Sequence, residues 1–312
     1  MYECSIDKVT FTHELKPGMR YYVDDYLRSN PVRYSQKFAN FPYRKALMFD
    51  DGTRISVAEK LEKIQGWRYE FNPNKCNAGG VLRWIKEFVN KDTINLTRVD
   101  YAIDIKDIKI NDYYVMGRNG TSHINYYGRT GELETKYIGS KNSDKRWRLY
   151  NKRLEILAQT GIDIGREITR LELQLRDNCL LSDNEKVFTE LLMLRDLSIN
   201  LGWENTAKIE YLLRDENNWS KLAKHSKLKY QKMIKENMNT IIDIGAILEK
   251  EKESLTSMLD SWLKPRYKKI KENYFHDGVN PMELPVFDYV FPLREDSKNV
   301  DNQYSFYTRL VN

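Results

Sequence analysis

Up to about residue 180, apolar side chains mostly recur at every second position between short turn signals, the period of strands that bury one face. WRYEFN (67–72), TRVDYAIDI (97–105), HINYYG (123–128), ETKYIG (134–139), RWRLYNK (146–152) and ITRLELQL (168–175) are predicted as strands. Two helices are expected among them, and VLRWIKEFVN (81–90) has the apolar stripe of one. RNGT (118–121), RTGE (129–132) and SKNSD (140–144) have the composition of hairpin loops, so an antiparallel sheet is the simplest result. Beyond about residue 185 the period lengthens to that of helices, in EKVFTELLMLRDLSINL, TAKIEYLLRDE, NWSKLAKHSKLKYQKMIKENM and ILEKEKESLTSMLDSWL. Pro265 should end the last of these, and the stretch after it holds three further prolines and little periodicity. The pattern predicts an α+β protein: a curved, mostly antiparallel β-sheet part over 1–180, a helical part over 181–270 and an extended tail over 271–312.

Side chains two apart on a strand share a face, and this parity sorts the predicted strands into polar and apolar surfaces. Arg98, Asp100, Ala102 and Asp104 fall opposite Val99, Tyr101, Ile103 and Ile105, while Arg170, Glu172 and Gln174 fall opposite Leu171, Leu173 and Leu175. The same rule puts Arg148, Tyr150 and Lys152 on one face, and Arg68 with Glu70 on another. If the polar faces merge, the surface carries oxygen ligands suited to Mg2+ or Mn2+, guanidinium groups suited to phosphate, and a phenol nucleophile. That is a phosphoryl-transfer set. A phenol with an ordinary pKa near 10 needs a neighbouring cation or metal to favour its phenolate, and Arg148, Lys152 and the ion are expected to supply it. Any antiparallel sheet with one wet face alternates in this way, so parity supplies the surface but not its chemistry.

Composition narrows the class without deciding it. The 312 residues are 41% hydrophobic and 31% charged, a globular rather than a disordered balance. A net charge of +6 is modest for a nucleic-acid binder, so local clustering matters more than the total. Cys4, Cys76 and Cys179 lack CxxC spacing and read as reduced structural thiols, and His13, His123, His225 and His276 are too scattered for a paired-histidine metal site. With no apolar run of bilayer length, a soluble cytoplasmic protein without membrane partners is expected.

WRYEFNPNK (67–75), TRVDYAIDI, INYYGRTGELETKYIG (124–139), RWRLYNKRLE (146–155), TRLELQL and LLRDENNWSKLAKHSKLKYQKMIKE (212–236) together resemble, in order and separation, the Rep_trans family of rolling-circle plasmid replication initiators. The resemblance covers roughly 40–265. It implies that Tyr150 nicks the double-strand origin, keeps the 5′ phosphate as an ester and leaves a 3′ hydroxyl primer. It also implies a divalent cation, Mg2+ or Mn2+, a role carried onto Asp100, Asp104, Glu172 and Glu70. Trp219–Glu236 is similar to the family's origin-recognition region, with Lys224, His225, Ser226, Lys227 and Lys229 at the positions expected to set specificity. Helical spacing there aligns Trp219, Leu222, Ser226, Tyr230 and Met233 and leaves Lys221, Lys224, Lys232 and Lys235 to meet phosphates. Implied partners are origin DNA with an exposed single strand, a second copy of the chain and the host replicative helicase. Two alternatives remain at this stage: a MobT-type conjugative relaxase, and a non-catalytic origin-binding protein.

Overall fold

A computed structural model describes residues 2–29, 32–34, 42–59, 66–76, 78–110, 113–116, 122–184, 186–189, 193–196, 201–214, 217–237 and 239–263. The RNGT loop, Pro265 and the expected tail lie outside them.

Among the described residues, ten strands form one antiparallel sheet. In spatial order they are β2 (Val32–Tyr34), β3 (Tyr43–Phe49), β4 (Arg54–Glu59), β5 (Trp67–Phe71), β1 (Tyr2–His13), β6 (Asn95–Lys106), β11 (Ile168–Arg176), β10 (Lys145–Asn151), β9 (Leu133–Ile138) and β8 (His123–Tyr127). The fold is therefore α+β, as the pattern predicts. The RTGE and SKNSD turns join β8 to β9 and β9 to β10.

The apolar parity set forms the core. Val99, Tyr101, Ile103 and Ile105 of β6, Leu171, Leu173 and Leu175 of β11 and Trp147 and Leu149 of β10 are buried on one face. Trp84, Ile85 and Phe88, in and just after α2 (Ala78–Glu87), pack into the same cluster, as do Ile247, Leu248, Leu255, Leu259 and Leu263 of α8 (Ile244–Leu263). A helix with such a stripe gains little from propensity alone and most from this burial, roughly 1.5–3 kcal/mol for each fully covered leucine or isoleucine. Gly245 lets α8 approach the short α4 (Lys186–Thr189): a Cβ there would stand 2.5 Å from the Phe188 carbonyl oxygen.

The pattern reading missed β1, the strand at the centre of the sheet. Its alternation is broken by a bulge between Ile6 and Lys8, and a bulge shifts the faces of the residues around it. The predicted helix over EKVFTELLMLRDLSINL is also corrected. Its described residues form α4 and then β12 (Met193–Asp196), which pairs with β7 (Tyr113–Met116) and β13 (Thr240–Asp243) in a separate three-stranded sheet. A short apolar run satisfies either period, and strand partners far away in sequence decided it. NWSKLAKHSKLKYQKMIKENM is two helices, α6 (Asn217–Ser220) and α7 (Lys224–Asn237), rather than one. With α5 (Trp203–Arg214) these build a second cluster around Ile209 and Ile234, joined by Leu213, Trp219, Tyr230 and Met233. Among the described residues no helix is long and apolar enough to cross a membrane.

Candidate active site

The polar parity set lies on the opposite face, and the register aligns it in rows. Tyr150 pairs with Arg170, which pairs with Asp104; one row along, Arg148 pairs with Glu172, which pairs with Ala102. Three neighbouring strands thus bring together a phenol, two guanidinium groups and two carboxylates.

Tyr150 is only 3% exposed and its hydroxyl donates to Glu172 Oε1 at 2.7 Å. The Arg148 guanidinium carbon lies 4.0 Å from the Tyr150 ring centroid, and Arg148 Nη1 donates to Glu172 Oε2 at 3.4 Å. Burial, followed by the Glu172 and Glu155 carboxylates, pushes the Tyr150 phenol well above its ordinary pKa, while Arg148 and Arg170 pull the other way without prevailing. Burial also raises Glu172, against the opposing pull of Arg148. Arg148 and Arg170 alone thus do not offset burial and the two carboxylates, and the phenol faces the Glu172 carboxylate.

Lys152 does not continue the strand. Asn151 ends β10 and caps the next helix, its side chain accepting from the Leu154 amide, so Lys152 opens α3 (Lys152–Thr160). Its ammonium lies 5.8 Å from the Tyr150 ring centroid and is paired with Glu155 at 2.5 Å. Parity cannot see a strand pass into a helix without a break, although an asparagine before KRLE is a usable capping signal.

Arg170 forks onto Asp104 at 2.5 and 2.6 Å and reaches Asp7 Oδ1 at 2.9 Å. Asp7 also accepts from Asn72 Nδ2 at 3.2 Å. Sequence reasoning missed Asp7, which enters the polar face through the β1 bulge; only the broken alternation in SIDKVTF marks it.

The four carboxylates proposed as metal ligands do share this face, but each is closed onto cations. Asp100 is forked by Arg98 at 2.6 Å, Asp104 is held by Arg170, and Glu172 meets Arg148 and Tyr150. Glu70 stands on β5, across β1 and β6 from β11, with Lys8 at 3.0 Å, Arg68 at 3.4 Å and Arg54 at 3.5 Å. Among the described residues no three histidine, cysteine or acidic side chains stand together as an ion cage. Mg2+ or Mn2+ held by these carboxylates would have to displace their arginine and lysine partners.

The Glu70 cluster makes a stability prediction. Burial alone would raise this carboxyl, but Lys8, Arg54 and Arg68 outweigh it and hold the pKa at about 2 against an ordinary 4.5. A depressed carboxyl stabilises the fold above the unfolded pKa, and that contribution is lost as pH falls through the folded one. Glu70→Gln is therefore expected to remove about 3 kcal/mol at neutral pH and to flatten the acid limb between pH 4.5 and 2. Urea unfolding across that window checks it; equal acid slopes for the two proteins would contradict the assignment.

Around α7, Lys224, His225, Lys229 and Lys232 are exposed, and Ser226 and Lys227 are half-buried. Because the helix starts at Lys224, Lys224, His225, Ser226 and Lys227 occupy its first turn, where exposed amides favour anions. Lys221 lies in the preceding turn and donates to the Tyr211 hydroxyl and Asn218 Oδ1, both at 3.1 Å. Lys229 lies 5.6 Å from the Tyr230 ring, and Lys232 is 3.8 Å from Glu236. Tyr230 and Met233 turn inward as the spacing predicts, while Leu228 is exposed.

Comparison with known proteins identifies the class. Three replication initiation proteins of Staphylococcus aureus are similar to the chain: one is 28% identical over 274 residues (83% of this chain, 85% of the relative) and a second 33% identical over 203 (62% and 63%). The third is 32% identical over 220 residues, 67% of this chain and 69% of the relative. No protein-family model matches. A solved structure, a rolling circle replication initiator protein from Geobacillus stearothermophilus, aligns over 57% of this chain and 76% of its own, at 21% identity and a TM-score of 0.38. On the sequence similarity, the chain belongs to the replication initiation protein (Rep) family.

Proposed function

We propose that this replication initiator is a rolling-circle nicking and joining enzyme whose nucleophile is Tyr150. The observation that carries the reading is the Tyr150 hydroxyl donating to Glu172 at 2.7 Å, with Arg148 and Arg170 beside it, in a chain of this family. Tyr150 Oη attacks the phosphorus at the nick site as its proton passes to Glu172 Oε1. The phosphorus–tyrosine oxygen bond forms and the bond to the 3′ oxygen breaks. Glu172 can return the proton to that oxygen, giving the 3′ hydroxyl that primes synthesis. Transfer conserves the ester, so the reverse step rejoins the strand.

Arg148 and Arg170 face the charge that builds on the phosphate, an electrostatic role of the kind that dominates phosphoryl transfer. The α7 segment from Lys224 to Lys229 reads the origin, supported by its exposed cations and by its place at the start of a helix. A divalent cation, a second copy of the chain and the host helicase belong to the proposal through the family resemblance.

The test is incubation with supercoiled plasmid carrying the origin, followed by denaturing electrophoresis. Wild type should give nicked circles and a covalent protein–DNA adduct, and Tyr150→Phe should give neither while retaining origin binding. An adduct formed as efficiently by Tyr150→Phe would end the assignment. Chelation with EDTA in the same assay examines the cation: nicking at an unchanged rate would remove it from the proposal.

A further inference from the structure

Beside Tyr150 the polar face runs across β9 to β8, the edge strand of the described sheet, and its character changes there from ionic to aromatic. Thr135 pairs with Tyr150 on one side and Tyr126 on the other, and Tyr137 pairs with Arg148 and Ile124. Tyr126 and Tyr137 meet edge to face at 5.8 Å, and the Arg146 guanidinium carbon lies 3.8 Å above the Tyr137 ring. Both rings are half-buried and Ile124 is 42% exposed. Among the described residues Arg146 has no carboxylate partner, unlike Arg148, Arg170 and Arg98, and its Nε is buried without a hydrogen-bond partner. Arg148 and Arg176 add further positive charge around Arg146.

We propose that Tyr126, Tyr137 and Arg146 form a binding strip for single-stranded DNA that holds the bases and backbone next to the scissile phosphate. Two neighbouring strands span about 10 Å, so the strip reaches the nucleotides immediately adjoining the one at Tyr150. Aromatic faces stack on any base, and an arginine already lying on a ring presents its edge to a phosphate, the combination that binds single strands with little sequence preference. Duplex DNA keeps its bases stacked on each other and cannot use the rings. The strip would thus favour an extruded strand, leaving sequence reading to another part of the chain. The inference rests on the proposed nicking role only for the position of the scissile phosphate.

The test is fluorescence anisotropy of the full chain with a labelled oligo-dT 12-mer in EDTA, all proteins carrying Tyr150→Phe to prevent covalent capture. Tyr137→Ala is expected to weaken binding about 5- to 150-fold and Tyr137→Phe to stay within about twofold, because the phenyl face is what stacks. Arg146→Ala should weaken binding and reduce the salt slope by about 0.7. Affinity for an oligonucleotide duplex should be unchanged in Tyr137→Ala, which also controls for folding. Unchanged single-strand affinity in Tyr137→Ala, or an equal loss in Tyr137→Phe, would overturn the strip. If wild type forms the adduct but Tyr137→Ala binds normally, the strip fails and the nicking role stands. If no adduct forms but single-strand binding needs the ring, the nicking role fails and the strip stands.

Discussion

Glu172→Gln is expected to slow nicking by about 10²- to 10⁴-fold, the usual range for removing a positioned general base. Glu172 is buried, accepts the Tyr150 hydroxyl at 2.7 Å and has its pKa raised by burial, which suits the proton-accepting role proposed for it. The sign of the pH dependence follows. Wild-type nicking should rise with pH as Glu172 loses its proton and level off above that titration. Without the carboxylate, one of the charges that raises Tyr150 is gone, so the residual rate should climb instead with the phenol's own titration at higher pH. Single-turnover nicking across pH measures both. A Glu172→Gln rate within about twofold of wild type, with the same pH profile, would remove Glu172 from proton transfer.

Arg170→Met is expected to reach stability as well as rate. Arg170 neutralises Asp104 and Asp7 together, and its side chain is 9% exposed. Removing one partner of a buried pair leaves a desolvated charge behind, typically a loss of 3–5 kcal/mol. Asp7 and Asp104 keep 22% and 19% of their exposure, so water relieves part of the penalty and about 3 kcal/mol is expected. Adding Asp104→Asn should recover part of it, since one stranded carboxylate is removed. Denaturant unfolding of the single and double variants reads the coupling, and additive losses would show that the pair does not act as a unit. The rate should fall even where the variant is folded, because Arg170 is one of two cations opposing the rise in the Tyr150 pKa.

Much of this surface was legible from alternation because β6, β10 and β11 are regular antiparallel strands with one apolar face. Knowing that Leu171, Leu173 and Leu175 are buried fixes where Arg170, Glu172 and Gln174 point, and the register then sets them against Tyr150, Arg148 and Asp104. What parity could not give was partnership. Which carboxylate meets which cation depends on side-chain reach across strands, so Glu172 reads equally as a metal ligand or as the partner of a tyrosine. Asp7 was hidden because a bulge in β1 cancels the alternation that would have placed it. β12 was hidden because LLMLRDL suits both periods, and its pairing with β7 and β13 is set by residues distant in sequence. The origin-reading role proposed for Lys224 to Lys229 rests on resemblance; the structure adds that they open a helix rather than lie within a longer one.

The central claim is that Tyr150 carries the DNA. Its most direct test is to trap wild type on an origin-bearing single strand, digest with trypsin and nuclease, and find the nucleotide-bearing residue by mass spectrometry. Cleavage after Arg148 and Lys152 isolates Leu149-Tyr150-Asn151-Lys152, so the account predicts a phosphonucleotide on that peptide. A modified peptide containing Tyr126, Tyr137 or any other tyrosine, with this one unmodified, would contradict it.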